Sequence, residues 1–177
     1  IRDPLWSRGL GDVYKRQTKL KRKILIMGLP GSGKTTLAEL LVPRLEAVWF
    51  NADAIRTEIH KDLGFSKEDR LEHARRLGKL CEFSSKYGSF SVADFVCPTK
   101  EARELFNADF TIWVDRIQEG RFEDTNKMFE APSNYDVRLS SGTPQEWMDA
   151  VMTALNNEMW DNQAPTALLI GRYQPFH

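Results

Sequence analysis

The sequence predicts an α/β fold of three layers, with helices covering both faces of a mostly parallel sheet and a lid segment beside it. Two observations carry that prediction. Short apolar runs alternate with helical stretches along most of the chain, the pattern of βαβ units. The first run, Lys23 to Met27, is almost continuously apolar and stops at a glycine, as a strand buried on both faces does.

The elements follow in order. After the first strand comes a glycine-rich stretch, and Thr35 to Leu45 then has helical spacing. Val48 to Phe50 reads as a second strand running into Asn51-Ala52-Asp53-Ala54-Ile55-Arg56, which enters a helix. Ser66 is an N-cap with acidic residues behind it, opening a long amphipathic helix to about Lys86. Ser89 to Phe95 alternates and is a third strand, Thr99 to Phe106 a helix, and Phe110 to Val114 a fourth strand. Asp115 to Asn134 has no clear period and suits a mobile lid. Thr143-Pro144-Gln145-Glu146 is a capping box with proline at the first helical position, and its helix is expected to reach about Leu155.

The stretch between the first strand and the first helix carries the most chemistry. Gly28-Leu29-Pro30-Gly31-Ser32-Gly33-Lys34-Thr35 lets the backbone curl so that successive N–H groups face inward at a helix N-terminus, the arrangement that cradles a triphosphate. With this loop the fold class sharpens to a P-loop NTPase-type αβα fold. The expected ligands are ATP and Mg²⁺, with Gly28, Gly31, Ser32 and Gly33 around the phosphates. Lys34 reaches the β- and γ-phosphates, Thr35 binds the metal through its hydroxyl, and Thr36 touches the α-phosphate. Chemistry in such a site is mostly the positioning and charge stabilisation of an in-line phosphoryl transfer.

Composition narrows the remaining classes. A chain of 177 residues has room for one domain of about 150 residues and no second complete one. No apolar run approaches the roughly 20 residues that span a bilayer and no signal peptide opens the chain, so a cytoplasmic location is the default expectation and no membrane partner is. Lys plus Arg (25) balances Asp plus Glu (25), which gives no electrostatic case for nucleic acid. Cys81 and Cys97 are far apart without metal-ligand spacing and read as free thiols. The oligomeric state stays open, a homodimer included.

Both ends differ from the middle. Residues 1–17 have no helical or strand period, and Asp12-Val13-Tyr14-Lys15-Arg16-Gln17 matches one frame of a transposon-type sequencing adapter, so this segment is set aside from the fold; the alternative is a basic arm. Without it the chain holds 21 basic against 23 acidic residues. The kinase-like region then runs 18–155, followed by a polar linker over 156–165. Residues 166–177, ending Gly171-Arg172-Tyr173-Gln174-Pro175-Phe176-His177, resemble the first strand and phosphate-binding turn of the nucleotidyltransferase superfamily, and so imply a truncated second domain.

Between Lys23 and Leu155 the chain resembles the adenylylsulfate kinases, which phosphorylate the 3′-hydroxyl of adenosine 5′-phosphosulfate with ATP and Mg²⁺. The likeness rests on the glycine loop, on Asn51 to Arg56 beside the family's Asp-Gly-Asp-Asn-Val-Arg, and on Lys61-Asp62-Leu63-Gly64-Phe65-Ser66 with Arg70, Arg75 and Arg76 beyond. It also rests on Phe122 followed by Glu130-Ala131-Pro132. The resemblance implies that Asp53 orients or deprotonates the acceptor hydroxyl, that Arg56 and Arg70 bind phosphosulfate charge, and that Phe65 and Phe122 sandwich adenine. By pattern alone the two phenylalanines read as core and Arg70, Arg75 and Arg76 as a solvated helix face.

Four departures stand out. Asn51 takes the place of the family's first acidic residue, and Asp94, at the end of the third strand, is expected to supply that charge to Mg²⁺-bound water. Cys97 stands for a serine, read on its own as a small buried residue, and His73 for an asparagine that implies substrate contact. The lid lacks the family's lysine-rich stretch, leaving Arg116, Arg121 and Lys127 as alternative sources of transition-state charge. Competing readings keep the kinase but change the acceptor to a nucleoside, sugar or polynucleotide end, or make the chain a non-catalytic nucleotide-binding module of a fusion protein.

Overall fold

The computed structural model describes residues 23–87, 89–120 and 122–159. The adapter-like segment, the nucleotidyltransferase-like segment, most of the expected linker and Arg121 lie outside them. Five strands form one sheet: β1 (Lys23–Met27), β2 (Val48–Asn51), β3 (Ser91–Phe95), β4 (Phe110–Val114) and β5 (Val137–Leu139), in the order β2-β3-β1-β4-β5. All four pairings are parallel. The helices are α1 (Lys34–Leu45), α2 (Ala52–Glu58), α3 (Lys67–Lys86), α4 (Lys100–Phe106), α5 (Glu123–Met128) and α6 (Pro144–Met159). None is long and apolar enough to cross a membrane.

Strand alternation splits the core into two layers. Ile24 and Ile26 of β1 pack with Val92, Ile112, Leu37 and Leu41, and with Trp147 and Val151 of α6. Leu25 and Met27 point the other way, onto Ala74, Leu77 and Cys81 of α3 and Phe106 of α4. Because β1 is buried on both faces, it reads in sequence as an unbroken apolar run.

Local signals fix most helix starts. Ser66 accepts from Asp69 N at 3.1 Å, Thr99 from Ala102 N at 3.2 Å, and Asn51 from Ala54 N at 2.9 Å. The capping box before α6 forms reciprocally, with Glu146 Oε2 accepting from Thr143 N at 2.7 Å. The third strand begins at Ser91, later than the expected Ser89, and α6 continues through Met159 instead of ending near Leu155. The region expected to lack regular structure holds the short helix α5 and is followed by strand β5.

Helices α3 and α4 meet at Gly78, where an added Cβ would lie 2.6 Å from the Phe106 carbonyl oxygen and 3.0 Å from its Cα. Backbone atoms cannot rotate out of the way. Gly78→Ala is therefore expected to destabilise the protein by about 1–3 kcal/mol despite alanine's better helix propensity. Urea unfolding of the two proteins measures the difference, and equal or greater stability of the variant would refute the close approach.

Candidate active site

The glycine loop leaves the C-terminal end of β1 at the place where neighbours β3 and β4 diverge to its two sides. Open parallel sheets form their crevice at such a point. At Gly28 the backbone passes so close to β4 that a Cβ would stand 2.4 Å from the Val114 carbonyl oxygen. Gly33, the N-cap of α1, has φ 105 and supplies no side-chain cap. The helices that begin at Asn51, Ser66 and Thr99 occupy an amide with their own side chain; α1 leaves its first amides free for an anion. Ser32 Oγ is buried in the loop without a hydrogen-bond partner.

Lys34 folds back onto the loop and donates from Nζ to the Leu29 carbonyl at 2.8 Å. Burial pushes its pKa from the ordinary 10.5 down to about 8, and the nearby Asp94 and Asp53 carboxylates only partly offset that. Such an ammonium lacks a counter-anion of sufficient charge, and a polyphosphate supplies one. Thr36, in the first turn of α1, is exposed.

Asp94, next to last in β3, is a buried carboxylate with four short contacts. Oδ2 accepts from Thr35 Oγ1 at 2.9 Å and Oδ1 from Trp49 Nε1 at 2.9 Å. The Asn51 amide donates to both oxygens, at 3.1 and 3.2 Å. Burial raises the Asp94 pKa, while Trp49, Thr35, Lys34 and Asn51 pull it back down. The neutral Asn51 suits this position, because a second carboxylate there would repel Asp94 across the pairing of β2 with β3. A desolvated carboxylate beside a hydroxyl at the loop is a donor set for a hard divalent cation. Among the described residues no group of three or more His, Cys, Asp or Glu side chains could hold a metal by itself. A cation here would therefore need phosphate oxygens and water, the habit of Mg²⁺.

One cavity of about 540 Å³ opens from the loop and is lined by Lys34, Thr35, Asp94, Asp53, Arg56, Phe65, Arg70, His73, Cys97 and Phe122 among others. The sequence-expected loop and acceptor-side groups are thus brought together. Phe65 and Phe122 are 70 % and 61 % exposed, which rules out the core reading for both. Phe65 is stacked by Arg56, 4.9 Å from the ring centroid, and Arg70 lies 5.7 Å away while donating from Nε to the Phe65 carbonyl at 2.9 Å. Asp53 and Arg56 both come from α2, whose position is set by the Asn51 cap. Arg75 and Arg76 turn away to pair with Glu72, and Arg76 also with Asp62.

His73 is buried in the cavity wall, with its Nδ1 2.9 Å from Nδ1 of the equally buried His60. One ring must donate and the other accept, so the accepting ring is neutral, and burial lowers the His60 pKa as well. Burial and the Arg56 charge push the His73 pKa down to about 3.

The lid is tied at both ends. Arg116 stacks over Trp147 at 4.8 Å and its Nη1 lies 3.5 Å from the Ser32 carbonyl. Gly120 and the Asn126 amide exchange two hydrogen bonds at 2.8 and 3.0 Å. At the exit, Glu130 N donates to the Pro98 carbonyl at 2.7 Å and Arg103 donates to the Glu130 carbonyl at 2.9 Å. This anchors the lid to the loop carrying Cys97, a buried thiol at φ 45 whose pKa burial raises. Lys127 pairs with Glu123 on the lid surface at 2.8 Å.

Sequence reasoning missed Trp49, His60 and Trp147. Each matters through a partner distant in sequence, and only the strand register linking Asn51 to Asp94 hinted at one of them.

Comparison with known proteins places these features in context. Residues 21–116 match the family model described as adenylylsulphate kinase. The adenylyl-sulfate kinase of Gloeothece citriformis is 38% identical over 86 residues, covering 46% of this chain and 49% of the relative. The probable adenylyl-sulfate kinase of Bacillus subtilis is 34% identical over 111 residues, covering 58% and 56%. The chain thus spans about half the length of these curated relatives. Among solved structures, the APS kinase of Mycobacterium tuberculosis in complex with AMPPNP and APS superposes with a TM-score of 0.67 at 23% identity, covering 77% of this chain and 98% of that one. The hexameric APS kinase from Thiobacillus denitrificans gives 0.68 at 20% identity, covering 90% and 34%. These two likenesses establish a shared fold.

The depressed pKa of Lys34 has a consequence for stability. Between about pH 8 and 10.5 the unfolded chain binds the proton that the folded one has lost, so the penalty for burying this lysine is full below pH 8 and relieved as the pH rises toward 10.5. Lys34→Met is expected to raise the midpoint of thermal unfolding at pH 7 by about 2 °C or more, with a smaller gain at pH 9.5. A variant less stable than the parent at pH 7 would contradict this.

Proposed function

The chain belongs to the adenylylsulphate kinase family, and from that premise we propose that it transfers the γ-phosphoryl group of ATP to the 3′-hydroxyl of adenosine 5′-phosphosulfate. The products are ADP and 3′-phosphoadenosine 5′-phosphosulfate. The observation that carries this reading is the pair of exposed phenylalanines, Phe65 and Phe122, on the same cavity as Lys34, Thr35 and Asp53. Two exposed aromatic faces beside a phosphate loop suit a purine, and a small polyol would leave them wet.

Each residue then has a physical task. The free amides of α1 and the glycine loop hold the ATP phosphates, and Lys34 leaves the Leu29 carbonyl to pair with the β- and γ-phosphates. Thr35 and Asp94 would hold Mg²⁺, which when bound neutralises phosphate charge. On the acceptor side, Phe65 and Phe122 orient the adenine, while Arg56 and Arg70 bind the phosphosulfate. Asp53 accepts the proton of the 3′-hydroxyl as its oxygen attacks the γ-phosphorus, and the bond to the ADP oxygen breaks. His73, neutral in the wall, contributes polar contact without adding charge. Among the described lid cations Lys127 is engaged with Glu123, which leaves Arg116, lying against the loop, as the lid-side charge.

Incubated with ATP, Mg²⁺ and adenosine 5′-phosphosulfate, the protein is expected to form a 3′-phosphorylated product, and Lys34→Ala to abolish it. Turnover no higher than that of Lys34→Ala would overturn the assignment. Asp53→Asn is expected to lower kcat by about 10²–10⁴-fold. Phe65→Ala is expected to raise KM for the acceptor by about tenfold or more, with KM for ATP little changed. Equal effects on both substrates would argue against the adenine contact.

A further inference from the structure

Asp94 is held unequally at its two oxygens. The Asn51 amide donates to both, at 3.1 and 3.2 Å, but Oδ1 also accepts from the Trp49 indole at 2.9 Å, while Oδ2 faces the loop and accepts from the Thr35 hydroxyl at 2.9 Å. These donors differ in freedom. An indole N–H is a donor only, and the Trp49 ring is half-buried against the core layer of Ile24 and Val92, so it cannot turn away. The Asn51 amide is fixed at its other end, where its oxygen accepts from Ala54 N at 2.9 Å. The Thr35 hydroxyl, by contrast, rotates freely and can present a lone pair in place of its proton. With the Asn51 amide shared between them, the two oxygens differ in the second donor: a fixed indole N–H at Oδ1 and an exchangeable hydroxyl at Oδ2.

We propose that Trp49 is a positioning residue that selects for Mg²⁺ over Ca²⁺, because its indole N–H holds Oδ1 and leaves Asp94 able to meet a cation through Oδ2 alone. Single-oxygen engagement suits a small ion that keeps its own water and demands near-octahedral geometry. Ca²⁺ takes six to eight oxygens and can take both oxygens of one carboxylate, which the indole blocks. Trp49 and Asn51 lie on the same face of β2, two residues apart, and Asn51 is in register with Asp94, so the clamp follows from strand pairing. The inference rests on the reading of the loop as an ATP and Mg²⁺ site.

Trp49→Phe keeps the apolar ring and removes the donor. Binding of a non-hydrolysable ATP analogue, AMPPNP, is measured by calorimetry on the full chain in Mg²⁺, in Ca²⁺ and in EDTA. The parent is expected to gain more affinity from Mg²⁺ than from Ca²⁺, and Trp49→Phe to lose about tenfold or more of that preference. A variant weakened equally for both ions, or one with an unchanged ratio, would overturn the inference while leaving the nucleotide site standing. Failure of the parent to bind AMPPNP under any condition would overturn both. A second measurement needs no variant: in ¹H–¹⁵N spectra of the parent, the Trp49 indole N–H is expected to stay hydrogen-bonded when Mg²⁺ and AMPPNP bind. Its release on binding would contradict the clamp.

Discussion

The hydrogen-bonded Asp94 carboxylate is the constraint on which the rest of the site depends. Taking a carboxylate out of water is costly unless its lone pairs are filled, and here three side chains from two other elements fill them. Trp49 and Asn51 bring β2 and Thr35 brings the loop helix to Asp94, near the end of β3. Asn51 then carries the constraint outward, because its other end caps α2. Asp53 stands next to that cap and Arg56 one turn further on, so the acceptor side is hung from the same carboxylate that faces the loop.

The acceptor wall is built on a different principle. Phe65 and Phe122 remain exposed on the cavity, and Arg56 stacks on Phe65 with its charge still available to that space. Burial lowers the pKa of Arg56, and the neighbouring Arg70 lowers it further. Asp53 and Asp69 offset only part of this, and two cations held side by side mark a place that gains from a bound anion. The neutral His60–His73 pair closes the wall without adding to that repulsion.

Much of this was legible in the sequence because it follows local rules. The strand at Lys23 to Met27, the glycine loop, the Ser66 cap and the capping box at Thr143 each depend on residues within a few positions of one another. What escaped depends on tertiary pairing. Strand β5 is three residues long, too short for any alternation to show, and exists because Val137 to Leu139 pair with β4. Helix α5 has no side-chain cap and only six residues. Helix α6 ran past its expected end because no glycine or proline stops it before Pro165. Trp49 read as an ordinary apolar strand residue; its indole N–H acquires meaning only once Asp94, 45 residues on, lies within reach.

One desolvated carboxylate, Asp94, thus readies the loop for a cation accompanied by phosphate. The most direct measurement is the thermal unfolding of the parent and of Asp94→Asn with AMPPNP, with and without Mg²⁺. Mg²⁺ is expected to add to the stabilisation by AMPPNP in the parent, and this increment to disappear in Asp94→Asn while the stabilisation by AMPPNP alone persists. An Mg²⁺ increment of the same size in both proteins would contradict it.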